Sequence, residues 1–217
     1  MHASVRYAVA ELSDLLGLLR KIPDDRWDAP TACDGFRVRD VVAHLVLSRE
    51  GLPREAIGPL LRGGQGFADM GGRISREVAG RRTPDELRAG LERVIAHPRA
   101  GVLGKLLPAD NMLADHATHV QDVRMGLDRR GTPDRERAGA VLDAALRMSK
   151  PVTWGVRERA QGLRLEAEDV GWTHGSGPVV RGPYDALLLA LGGRSAGLAH
   201  LSGAGADVLA PRVAVAL

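Results

Sequence analysis

Asp115 and His119 stand four residues apart in the stretch Asp115-His116-Ala117-Thr118-His119-Val120-Gln121-Asp122-Val123-Arg124. On an α-helix that spacing puts both on one face, one turn apart, and Asp122 stays on the same stripe. A carboxylate and an imidazole so placed can grip one divalent metal, as the two histidines of an HExxH helix do. Two ligands are too few, and helical bundles supply the rest from facing helices. His44, at the edge of another apolar stripe, would complete a set of three N/O ligands. An open fourth position is the mark of a catalytic rather than a structural zinc. Spacing alone fits a blander arrangement equally well, with Asp115 and His119 in solvent and His44 hydrogen-bonded at the core rim.

The other polar candidates have simpler explanations. His116 lies about 100° round the helix from the stripe, facing solvent or an interface. Asp122 either orients a ligand from behind or pairs with a nearby arginine such as Arg124. Glu50 reads as a surface charge and His174 as a strand residue without partner spacing. His2, His97 and His200 read as surface or helix-end residues. Cys33, before a helix, reads as an inert, partly buried thiol.

The elements that must carry these residues follow from periodicity. Val5, Val9, Leu12, Leu15, Leu16 and Leu19 mark an amphipathic helix over residues 2 to 21, ended by Pro23. A turn-rich segment follows, then a helix from Val38 with Val41, Val42 and Leu45 on its apolar stripe. Glycines and Pro53 break residues 51 to 66 into a kinked continuation and a loop able to cover a site. Further helices are expected from Phe67 to Val78, from Thr83-Pro84-Asp85-Glu86 to His97-Pro98, from Pro108 to near Gly126, and from Thr132-Pro133-Asp134 to Ser149. After Pro151 the period changes to two at Leu163–Ala167 and Val170–His174, with a turn at Gly175-Ser176-Gly177 and extended chain at Val179–Arg181. A helix from Pro183 stops at Gly192-Gly193, and a last helix or strand over 205 to 215 is interrupted at Pro211. The chain thus divides into a helical domain, residues 1–150, and a small α+β domain, residues 151–217.

Composition narrows the function classes. The chain has 217 residues, 44% hydrophobic and 26% charged, with 3% aromatics and a net charge of +3. The hydrophobic and charged shares are ordinary for a soluble globular protein, and the aromatics are scarce. The arginines are scattered beside acids without a basic stripe, which argues against nucleic acid. A single cysteine excludes an internal disulfide and fits a reducing cytosol. No apolar run approaches membrane-spanning length and the first residues lack a signal core, so a cytoplasmic protein is expected.

Three segments in order carry a resemblance. Trp27…Pro30-Thr31-Ala32-Cys33-Asp34-Gly35-Phe36-Arg37-Val38-Arg39-Asp40-Val41-Val42-Ala43-His44-Leu45 resembles the entry to the second helix of the DinB-like, mycothiol-dependent maleylpyruvate isomerase family. His119-Val120-Gln121-Asp122-Val123-Arg124 resembles that family's H-x-x-D-[IV]-R segment. Gly162-Leu163-Arg164-Leu165-Glu166-Ala167-Glu168-Asp169-Val170-Gly171-Trp172-Thr173, with Gly193-Arg194 beyond, resembles the start of its C-terminal α/β domain.

The resemblance implies a mainly α fold, an N-terminal DinB-like four-helix bundle followed by a small α+β domain closing over the cleft. It also implies a divalent metal, usually zinc, on His44, Asp115 and His119. Aspartate at 115 departs from the family's glutamate and is one methylene shorter, leaving His116 or Glu50 as substitutes. The family's anion-binding arginine falls on Arg194, with Arg181 as rival. The implied cosubstrate is mycothiol, its thiolate acting on a small electrophilic, carboxylate-bearing substrate in S-transfer or cis–trans isomerisation. A metal-free binding protein and a metal-dependent hydrolase are the alternatives. A monomer or homodimer is expected, without nucleic-acid or membrane partners.

Overall fold

The computed structural model describes residues 2–50, 67–148 and 154–214. The loop expected over 51–66 and the domain boundary near 150 lie outside them. Helices α1 (Ala3–Leu19), α2 (Val38–Glu50), α3 (Phe67–Arg81), α4 (Pro84–Ala96), α5 (Gly101–Leu106), α6 (Ala109–Gly126) and α7 (Arg135–Arg147) come first. A short α8 (Val156–Ala160) follows, then β1 (Arg164–Ala167), β2 (Trp172–Gly175), β3 (Val179–Gly182), α9 (Tyr184–Leu191) and α10 (Ala204–Ala214). The fold is mainly helical with one small three-stranded sheet, as expected.

Helices α1, α2, α4 and α6 contact one another in a ring, α1 on α6 and α4, α2 on α4 and α6, which makes a four-helix bundle. The apolar stripes explain it. Leu12, Leu15 and Leu19 of α1 and Val38, Val41, Val42 and Leu45 of α2 are all fully buried. Thr83 caps α4 in a closed capping box with Glu86, and Pro84 opens the helix. Asp134, rather than Thr132, caps α7 by accepting from the Arg137 backbone N–H.

The central element is α6. Met112, Leu113, Ala114 and Ala117 join the core that runs through α7, the sheet, α9 and α10. Val120 and Val123 join the core of α1, α2 and α4. One helix therefore serves both cores and is covered on nearly every side. Of the two places expected for His116, solvent or an interface, burial at 1% exposure rules out solvent.

The sheet has order β2-β1-β3, with β1 antiparallel to β2 and parallel to β3. Leu165 and Ala167 of β1 point into the core, and Trp172 of β2 donates its indole N–H to Asp143 on α7. α10 is a helix, and Pro211 does not interrupt it. Buried Leu209 and Val213 on either side of the exposed proline hold α10 through the missing hydrogen bond. The helices α5 and α8 and the 3-10 turns at Asp24–Asp28 and Ser195–His200 have too few residues for a readable period. No helix among the described residues is long and apolar enough to cross a membrane.

Glu11 of α1 is buried, 3.3 Å from Nε of Arg137 and near the buried Tyr184 hydroxyl. Burial first, with Asp14 and Asp134 adding, pushes its carboxyl from 4.5 up to about 7, against the pull of Arg137 and Arg124. The folded state therefore binds this proton more tightly than the unfolded chain. Its contribution is full below about 4.5 and is lost as pH rises towards 7. Denaturant titrations should show stability falling across that window by at most on the order of 3 kcal/mol, with Glu11→Gln flattening the profile.

Candidate metal centre

The site forms where α2 and α6 face each other beneath residues from the C-terminal part. Asp115 and His119 point the same way from α6, as their spacing requires, and His44 meets them from α2. Asp115 Oδ1 lies 3.6 Å from His44 Nε2 and 3.8 Å from His119 Nε2. The two imidazoles meet edge to face, ring centroids 4.7 Å apart. One ligand atom from each of the three residues lies within 4.8 Å of the others. The shorter aspartate thus reaches both histidines. His116 belongs to no such group among the described residues, and the Glu50 side chain lies outside the description.

Behind His119, Nδ1 lies 2.9 Å from Asp122 Oδ2. A carboxylate accepts, so the proton sits on Nδ1 and the Nε2 lone pair faces Asp115 and His44. Asp122 is 0% exposed, and its partner is Arg194 rather than Arg124. Arg194 donates from Nε to Oδ1 at 3.2 Å and from Nη2 to Oδ2 at 3.1 Å. In the chain His119–Asp122–Arg194 a forked ion pair thus fixes the carboxylate that orients the His119 ring.

Gly192-Gly193 makes this possible. Gly193 has φ +86°, a left-handed conformation that turns the chain off the end of α9, and a Cβ there would meet the Arg159 guanidinium at 2.9 Å. Arg194 then reverses towards α6, and its guanidinium lies 5.2 Å from the centroid of the Trp154 ring. Trp154 also meets His119 edge to face at 5.7 Å. Arg159, buried beneath, donates to the carbonyls of Trp154 and Leu191. Arg181, by contrast, projects half-exposed from β3 beside Glu166, 3.7 Å away.

Cys33 is the other arrival. The Ala32 N–H donates to the Asp122 carbonyl at 3.1 Å, and the Pro30–Thr31 backbone lies so close to Gly126 that a Cβ there would fall 2.2 Å from Pro30 O. This contact seats Cys33 Sγ 4.0 Å from Arg194 Nη2. Cys33, His119 and Asp122 form a second three-residue group with ligand atoms within 4.8 Å.

The charge states suit ligation. Burial raises the Asp115 carboxyl, but the His44 contact and the charges of His119 and His44 outweigh it and hold it well below the usual carboxylate range. Burial lowers His119, leaving a neutral imidazole, although Asp122 opposes it. Burial would raise Asp122 too, but Arg194 and His119 keep it ionised. Burial, then the Asp122 charge, push the Cys33 thiol up to about 11 against Arg194, so it stays protonated at neutral pH. Sequence reasoning missed Trp154, which no spacing rule marks, and the engagement of Arg194 with Asp122, a contact across 72 residues.

Residues 8–104 match the family model for the mycothiol maleylpyruvate isomerase N-terminal domain. That span contains Cys33 and His44, whereas Asp115 and His119 lie beyond it. No curated protein sequence matches the chain. Two solved structures share its fold, the mycothiol-dependent maleylpyruvate isomerase and a histidine-to-alanine mutant of it. Each has a TM-score of 0.55 at 13% identity, over 93% of this chain and 91% of its own. Residues 8–104, which hold the first of the three motifs, thus match the mycothiol maleylpyruvate isomerase N-terminal domain, and the chain as a whole shares the fold of the mycothiol-dependent maleylpyruvate isomerase.

Proposed function

We propose that the chain is a metal- and mycothiol-dependent enzyme acting as an S-transferase or cis–trans isomerase on a small electrophilic substrate with a carboxylate. The observation that carries this reading is the convergence of His44 Nε2, Asp115 Oδ1 and His119 Nε2, with Asp122 fixing the His119 tautomer. Two imidazoles and an ionised carboxylate are a donor set that suits zinc. Bound there, the metal would supply charge that lets a thiol at its open position ionise near neutral pH.

The chain's own residues supply the rest. Asp122 holds the proton on His119 Nδ1 throughout, so Nε2 stays a ligand. Trp154 walls the site with an apolar ring, keeping water from the nucleophile. Arg194 spends Nε and one N–H of Nη2 on Asp122, turns the other N–H of Nη2 to Cys33 Sγ and gives one N–H of Nη1 to the Gly192 carbonyl, which leaves one N–H on Nη1 for a substrate carboxylate. A thiolate bound beside these residues would supply a nucleophile for a conjugated cis double bond, reversible addition allowing rotation in isomerisation and addition with uptake of a proton giving the product in transfer.

Zinc-loaded protein should be stabilised by mycothiol and not by glutathione. At 100 times its Kd a ligand contributes about 2.7 kcal/mol, roughly 5–10 °C in Tm for a chain of this length. A thermal scan showing no shift with mycothiol, or an equal shift with both thiols, overturns the thiol assignment.

A further inference from the structure

His119 belongs to two ligand groups at once. Its Nε2 faces Asp115 and His44, while its Nδ1 faces Asp122, with Cys33 Sγ close by. The second group, a thiol, an imidazole and a carboxylate, is chemically the more attractive to zinc or another soft divalent ion, because it offers sulfur. It already contains a cation. Arg194 Nη2 lies 3.1 Å from Asp122 Oδ2 and 4.0 Å from Cys33 Sγ.

We propose that Arg194 is the resident cation of the Cys33–His119–Asp122 group, and that by occupying it this arginine excludes a metal from that group and confines metal to His44–Asp115–His119. The confinement rests on the metal reading proposed above, whereas the exclusion stands without it.

Three features make the guanidinium a fixed occupant. Its two donors span both oxygens of one carboxylate, its Nη1 is tied to the Gly192 carbonyl, and its Cζ lies over the Trp154 ring. The backbone is anchored as well, Arg194 N–H donating to the Leu189 carbonyl at 2.8 Å. A guanidinium does not deprotonate in proteins, so the block does not lapse at alkaline pH as a lysine's could. The two groups share His119, and Arg194 stands in the second of them.

The test uses cobalt(II), whose bond to a thiolate gives a strong near-ultraviolet charge-transfer band that N/O ligation lacks. Wild-type protein titrated with cobalt should show no such band. Arg194→Met removes the charge and should produce it, and the band should vanish in Arg194→Met/Cys33→Ser. Arg194→Lys keeps a cation in place and should remain without the band. Should Arg194→Met fail to fold by circular dichroism, Arg194→Gln, which keeps a donor for Asp122, replaces it. A thiolate band in the wild type, or none in the folded neutral variant, overturns the proposal. His44→Ala/Arg194→Met separates the two readings. A wild type that binds no cobalt, beside a thiolate band in this double variant, sinks the proposed function and supports the exclusion.

Discussion

Replacing Asp122 by alanine should destabilise the protein by about 3–5 kcal/mol, as removal of one partner from a buried pair does. Asp122 is fully buried and accepts from His119 Nδ1 and from two Arg194 donors. Without it a guanidinium only 13% exposed is left facing a cavity and an imidazole N–H. The same change frees the His119 ring to rotate and change tautomer, so metal affinity should fall a further 10–100-fold, the usual effect of removing the group behind a ligand. Asp122→Asn keeps the shape and one acceptor but not the charge, and belongs between the two. Urea titrations and zinc competition on the same samples measure both effects. An alanine variant within about 0.5 kcal/mol of wild type would mean that the His119–Asp122–Arg194 chain carries no energy.

Asp115→Asn should cost more than about 100-fold in zinc affinity, beyond what loss of an outer partner does, with little change in fold. Asp115 supplies the only negative charge among His44, Asp115 and His119, and the amide that replaces it is a neutral, poorer donor. Asp115→Glu is the informative companion. Oδ1 already lies 3.6 and 3.8 Å from the two Nε2 atoms, so α6 stands close enough for the shorter side chain. The longer glutamate has to bend to fit and should bind zinc more weakly than aspartate here, by about tenfold or less. Binding as tight in Asp115→Asn as in the wild type would remove Asp115 from the ligand set.

Much of the site was legible because it lies on helices. The four-residue spacing of Asp115 and His119 fixes their common direction whatever surrounds them, and the apolar stripe beside His44 fixes the face from which it approaches. What periodicity could not supply was the depth of α6. A helix shared by two cores is covered on nearly all sides, so polar residues that read as facing solvent or an interface, His116 among them, are buried. The C-terminal contribution was legible only as candidates. Arg194 and Arg181 look alike in sequence, each in a glycine-flanked segment. They differ because the Gly192-Gly193 turn returns one chain to α6, while β3 carries the other out beside Glu166. Trp154 offered no signal, since its place depends on its own left-handed backbone, φ 49°, and on Arg159 beneath it. The last element, expected as a helix or strand interrupted at Pro211, is a helix that survives its proline because tertiary packing outweighs one lost hydrogen bond.

The central claim, that His44, Asp115 and His119 hold one divalent metal, is tested most directly by metal content. Protein purified without chelator and dialysed against buffered zinc should carry one zinc per chain, falling well below that in both His44→Ala and His119→Ala while circular dichroism shows them folded. A wild-type content well below one, unchanged by either substitution, would contradict it.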